Sequence, residues 1–162
     1  MKHTVVLGIG NRLMMDDGIG VYVVERLRDE NRKGAARSEN CNEKLSYMVG
    51  ETDIDYCLDA VGEARFIIVI DAVCAGNSPG DVTVFPLEKS ASQPYRGLSA
   101  HNLHLFDLLN HCNEGWEGSL IGIEPFEIRL NVGISDVLAG RFDEITDKVK
   151  NISLKLNEGF WL

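Results

Sequence analysis

The sequence has no basic run longer than two residues, no CxxC pair and no apolar segment long enough to span a bilayer. Each absence removes a class of function. A surface that tracks phosphates needs clustered Lys and Arg, and the net charge here is −9. Neither nucleic acid nor an anionic membrane is therefore expected as a partner. The first apolar run, Thr4–Ile9, lacks the basic start, longer apolar segment and small-residue exit of a signal peptide. The four cysteines (Cys41, Cys57, Cys74 and Cys112) are widely scattered. In a chain of this kind they are expected to be reduced thiols, three of them buried and Cys41 in a polar loop. The expected compartment is the cytoplasm and the expected state a monomer.

Catalytic templates are missing as well. Gly8-Ile-Gly10-Asn-Arg-Leu13 begins like a dinucleotide fingerprint, but Leu13 replaces the third glycine and no acid ends the second strand. No nucleotide cofactor is expected. There is no Walker loop and no GxSxG elbow, and His101-Asn-Leu-His104 is one residue too short for HExxH. Cys74 has no base placed beside it by the sequence and reads as a packed thiol.

What remains is an α/β pattern. The chain's 162 residues, 44% of them apolar, suit one domain spanning 1–162 with a sizeable core. Strands are expected at 4–9, 45–49, 66–70, 82–86 (near the sheet edge) and 119–124. Helices are expected from Ile19 to about Arg28, over 53–61, over 101–112 and from Ser135 to about Leu156. Residues 29–43 read as an exposed loop or frayed helix end, and 87–100 as a loop. Alternating strands and helices predict a three-layer α/β/α sandwich around a mostly parallel twisted sheet of about five strands.

In such sheets ligands gather beyond the carboxyl ends of the strands. Asp17, after the first strand, and Asp71, ending the apolar run FIIVI, both fall there, with Glu124 a third acid at the same edge. An Asp before a helix commonly caps it, but one acid suffices and Asp16 and Asp17 are adjacent. A carboxylate ending so apolar a strand is costly to bury without a partner. On the helix beginning near His101, positions 101, 105, 108 and 112 form an inward stripe, while His104, Asp107 and His111 form a solvated one. Two carboxylates and one imidazole make an open set suited to a borderline divalent ion such as nickel, zinc, manganese or iron.

Four blocks carry a family resemblance: LGIGNRLMMDDGIG (7–20), FIIVIDAV (66–73), SAHNLHLFDLL (99–109) and LIGIEP (120–125). With them the chain resembles the hydrogenase maturation endopeptidases, which trim the C-terminal tail from the large subunit of nickel-iron hydrogenases. The resemblance implies Asp17, Asp71 and His101 as metal-binding and catalytic residues, with Asp16 left to cap the helix. It further implies that the metal is nickel carried by the partner, a hydrogenase large-subunit precursor, and checked before cleavage. A metal-bound water or one of the carboxylates can then serve to activate the attacking water. One segment departs from the family pattern. Val49-Gly50-Glu51-Thr52 stands where many members carry an Asp-Gly-Gly-Thr-like stretch. That departure motivates an alternative, a non-proteolytic metal-dependent binding or chaperone module on the same fold. A weaker alternative is a peptidyl-tRNA hydrolase-like enzyme, suggested by the Gly-Asn turn and opposed by the acidity.

Overall fold

The computed structural model describes residues 3–35, 45–62, 64–87, 104–109 and 116–159. Five strands form one sheet: β1 (Thr4–Ile9), β2 (Leu45–Glu51), β3 (Phe66–Ala72), β4 (Val82–Leu87) and β5 (Glu117–Ile123), ordered β2-β1-β3-β5-β4. β1, β2, β3 and β5 run parallel, and β4 closes one edge antiparallel to β5. Among the described residues the helices are α1 (Ile19–Ala35), α2 (Ile54–Val61), α3 (104–109) and α4 (Asp136–Asn157).

Strand alternation divides the sheet into two apolar faces. Val6, Ile68, Ile70, Ile121 and Ile123 face α1 and α4, meeting Val23, Val24, Leu27, Leu138, Ile145 and Val149. Val5, Leu7, Ile67, Val69 and Leu120 face α2 and α3, meeting Cys57, Val61, Leu105, Phe106 and Leu109. The protein is a three-layer α/β sandwich. Among the described residues no helix is long and apolar enough to cross a membrane.

The connections place the site. From β1 the chain reaches β2 on one side through α1, then passes back through α2, on the opposite face, to β3 on the other side of β1. Successive crossovers on opposite faces open a crevice between the carboxyl ends of β1 and β3, the topological switch point where ligands bind in doubly wound sheets.

Several boundaries differ from the sequence-based expectation. α1 continues past Arg28 to Ala35. Its last two turns are polar, and Glu30, Arg32, Lys33 and Ala35 among them propagate a helix without an apolar stripe. Ion pairs Arg26–Glu30 (3.0 Å) and Lys150–Glu30 (3.1 Å) support that stretch. β2 extends two residues beyond Val49, to Glu51, so an acid does end the second strand, contrary to the sequence-based reading, and the absence of a third glycine at Leu13 alone sets the turn apart from a dinucleotide fingerprint. β3 includes Asp71 and Ala72, so Asp71 lies inside the strand rather than after it. β5 begins at Glu117 and ends at Ile123, leaving Glu124 outside. Residues 36–44, 88–103 and 110–115, and with them Cys41, His101, His111 and Cys112, lie outside the described residues. Cys57 is buried as expected, whereas Cys74 is exposed, because β3 ends at Ala72 and the thiol lies in the loop beyond.

Candidate active site

The turn after β1 carries Asp17 into the crevice by close backbone packing. Gly10 has φ of 130°, in the region that favours glycine, and a Cβ there would collide with the carbonyl oxygen of Asp17. A Cβ at Gly20 would overlap the carbonyl oxygen of Ile70 and stand 2.7 Å from that of Ile9. The first turn of α1 therefore sits directly on the ends of β1 and β3. Between them Met15–Gly18 forms a short 3-10 helix containing both acids.

The two acids have different environments. Asp17 is half-buried, and its Oδ2 accepts the amide of Asn11 at 2.9 Å. Asp71 is buried, on the sheet face shared with Ile67, Val69 and Val73. Burial pushes its carboxyl well above the ordinary carboxylate range, and the charge of Asp17 pushes it further. The backbone amide of Ala72 opposes both effects by hydrogen-bonding the carboxylate. The pair is thus electrostatically coupled across the crevice. α3 packs against the same face as Asp71, with Leu105, Phe106 and Leu109 inward and His104 and Asp107 exposed. His101 lies outside the described residues. Among these residues no three His, Cys, Asp or Glu side chains form a group able to hold a metal ion.

Asp16 does not cap the 3-10 helix or α1. Its side chain points away from both and is fully buried. Oδ2 accepts the amides of Phe126 (3.0 Å) and Glu127 (2.9 Å) and the hydroxyl of Ser135 (2.8 Å), while Oδ1 accepts the Ser135 amide (2.7 Å). Ser135 is in turn the N-cap of α4, accepting from Leu138. Asp16 therefore fastens the loop after β5 and the start of α4 to the turn that bears Asp17. These partners are more than a hundred residues away in sequence, beyond the reach of any local pattern.

Glu124 is also a fastener. It accepts the amides of Ala75 (2.8 Å) and Gly76 (3.2 Å), fixing the loop after β3. Within that loop the exposed Cys74 thiol is held above its ordinary pKa by partial burial, then by the charges of Glu124, Asp17 and Asp71. The sequence expectation of a packed thiol gives way to one beside the carboxylates.

Arg12 is the residue that sequence reasoning overlooked. It makes a two-pronged pair with Glu25 of α1 (2.9 and 2.6 Å), reaches Glu51 at the end of β2 (2.8 Å) and lies 5.4 Å from the centre of the Tyr22 ring. Glu51 sits at φ of 51°, with its carbonyl oxygen accepting the Gly10 amide. The departure at residues 49–52 is thereby joined to the turn. Glu51 faces Arg12, and Asp53 caps α2 through the Tyr56 amide.

The chain is similar to proteins already known. The family model described as hydrogenase maturation protease matches residues 21–152. A hydrogenase expression/formation protein of Rhodobacter capsulatus is 32% identical over 150 residues, covering 88% of this chain and 67% of the relative. The hydrogenase 2 maturation protease of Escherichia coli is 24% identical over 149 residues, 89% of this chain and 86% of the relative. Among solved structures, the hydrogenase maturating endopeptidase HybD from E. coli superposes with a TM-score of 0.72 at 22% identity, covering 97% of this chain and 94% of that one, a likeness of fold. The [NiFe] hydrogenase maturation protease HybD from Thermococcus kodakarensis gives 0.67 at 26% identity, with 93% and 98% covered. The family model over residues 21–152 and the 32% identical relative place this protein in the hydrogenase maturation protease family, and it is a peptidase.

Proposed function

We propose that this chain is the endopeptidase that removes the C-terminal extension of a nickel-loaded [NiFe] hydrogenase large-subunit precursor, engaging the bound nickel through Asp17, Asp71 and His101. The observation that carries this reading is the coupled carboxylate pair at the switch point. Two acids facing one crevice, one of them buried and driven toward its neutral form, are a poor arrangement for a resting protein. A divalent cation arriving with the substrate would reverse both penalties, because its charge favours ionised carboxylates. The site is then cheapest to ionise when loaded precursor is present, which makes metal content a condition for engagement. Imidazole and carboxylate oxygen are both suitable ligands for nickel.

The non-proteolytic alternative was motivated by residues 49–52, and the structure gives those residues an ordinary task in Glu51's pair with Arg12. The test is direct. Incubation with nickel-loaded precursor is expected to release a C-terminal peptide, read by mass, whereas nickel-free precursor stays intact. Failure to shorten a verified loaded precursor across candidate subunits removes the reading.

His101 and His104 are expected to behave oppositely. His101→Ala abolishes processing, while His104→Ala, at an exposed position, leaves the rate within about twofold. Initial rates of precursor cleavage decide this, and equal loss at both positions would refute the assignment of His101.

A further inference from the structure

Between β5 and α4 the segment Phe126-Glu-Ile-Arg-Leu-Asn-Val132 alternates apolar and polar residues as a half-buried strand does. It is not a strand of the sheet. It has a single parallel bridge, Asn131 to Met14. Its apolar members face outward: Leu130 is 78% exposed, Val132 71%, Phe126 57% and Ile128 44%. Leu13, 56% exposed, adjoins them, with its carbonyl oxygen accepting the Asn131 amide. The polar alternates are engaged locally, Arg129 with Glu127 at 2.6 Å and the Asn131 side chain with the Val132 amide. Single exposed apolar residues need no explanation, but five on two hydrogen-bonded segments make a patch of the kind that marks an interaction site.

The strip is continuous with the candidate site. The Asn131 carbonyl accepts from Met15, the Glu127 carbonyl accepts from Asp16, and Asp16 holds the Phe126 and Glu127 amides. Strip and Asp17 turn form one hydrogen-bonded unit at the carboxyl edge of the sheet. A ligand lying along the strip therefore runs beside the turn that carries Asp17.

We propose that this strip docks the substrate polypeptide, with an extended, apolar segment of the precursor next to the scissile bond lying across Leu13, Phe126, Ile128, Leu130 and Val132. This rests on the reading of the chain as a precursor-processing endopeptidase. Three features select that occupant over a second copy of the chain. Exposed apolar side chains spread over seven residues suit an elongated apolar segment rather than a single anchoring side chain. The strip borders the crevice that must stay open to substrate. A net charge of −9 opposes bringing two copies together at an edge that already carries Asp17 and Glu124.

The test is the double variant Leu130→Ser with Val132→Ser, both at exposed positions, with circular dichroism as the check on folding. For nickel-loaded precursor, KM is expected to rise at least tenfold with kcat within about twofold, the signature of binding lost equally from ground and transition states. Titration of the same precursor measures binding without cleavage, and there the variant is expected to weaken at least tenfold. An unchanged KM and affinity would overturn the strip as the docking surface. A wild type that binds precursor through the strip without cutting it would fail the endopeptidase reading alone. A wild type that binds no precursor overturns both. Sedimentation showing a wild-type dimer that the double variant abolishes would assign the strip to a second copy and also overturn the proposal.

Discussion

Replacing Asp71 with asparagine is expected to abolish precursor processing and to make the protein more stable. The two effects have one cause. Asp71 is buried beside Asp17, so its ionised form is disfavoured in the folded state and its carboxyl titrates well above the ordinary range. In the unfolded chain it titrates near pH 4. Above that pH the unfolded state has released a proton that the folded state still holds. Stability therefore falls as pH rises, until the folded-state carboxyl has itself ionised, and then levels off. Asparagine cannot ionise, and its amide oxygen can still accept the Ala72 amide, so the variant escapes the penalty. Its advantage is expected to be small near pH 4, to grow toward neutrality and then to become constant. Each kcal/mol relieved raises Tm by about 2–4 °C for a domain of this size. Calorimetry at pH 4, 6 and 8 reads the stability, and cleavage of loaded precursor reads the activity. A variant less stable than the parent at pH 8, or one that still processes precursor, contradicts the account. The gain in stability would also measure what the fold gives up to keep an ionisable group at its switch point.

Periodic patterns made the fold legible. β1 occupies the residues expected of it, and the parallel sheet follows from short apolar runs separated by helical stripes. α4 begins at the boundary expected of it, with Ser135 serving as its N-cap. The failures occur where period carries no information. The polar end of α1 has no apolar stripe to reveal it, and β3 runs through Asp71 because backbone pairing with Gly122 of β5 continues past the apolar run. At the site, the carboxyl-edge rule finds Asp17 and Asp71 without knowledge of the strand order. It cannot separate a reactive acid from a structural one, since that depends on what faces the side chain. Glu124 and Asp16 both stand at the edge, and both are occupied by backbone amides. Residues 126–132 drew no expectation from the sequence, and only the structure shows that their apolar members are exposed.

Asp16→Ala is expected to be the most destabilising single substitution in the Asp16–Asp17 pair, and Asp16→Asn nearly as damaging. All four hydrogen bonds to the Asp16 carboxylate come from donors: the amides of Phe126, Glu127 and Ser135 and the Ser135 hydroxyl. Alanine leaves them unmatched in a fully buried position, and each buried orphan costs about 1–3 kcal/mol. Relaxation of the loop recovers part of that, so the expected loss is about 4 kcal/mol or more, a large share of the 5–15 kcal/mol typical of a folded domain. Asparagine has nearly the same shape but presents an NH2 group to these donors. Turning its oxygen toward Phe126 and Glu127 points the NH2 at the Ser135 amide, and the opposite flip faces both of the other amides. Neither orientation satisfies the site. Asp17→Asn makes the informative contrast: Asp17 is half-buried with one amide donor, so its substitution is expected to leave stability within about 1 kcal/mol while processing is lost. Urea unfolding of the three variants, alongside cleavage assays, separates the roles. An Asp16→Asn protein within about 1 kcal/mol of the parent would show that the carboxylate charge is not what joins the two segments. The adjacent acids then divide the work by direction: one is turned inward to hold the loop after β5 and the start of α4 against the turn, and its neighbour is turned to the crevice at the switch point.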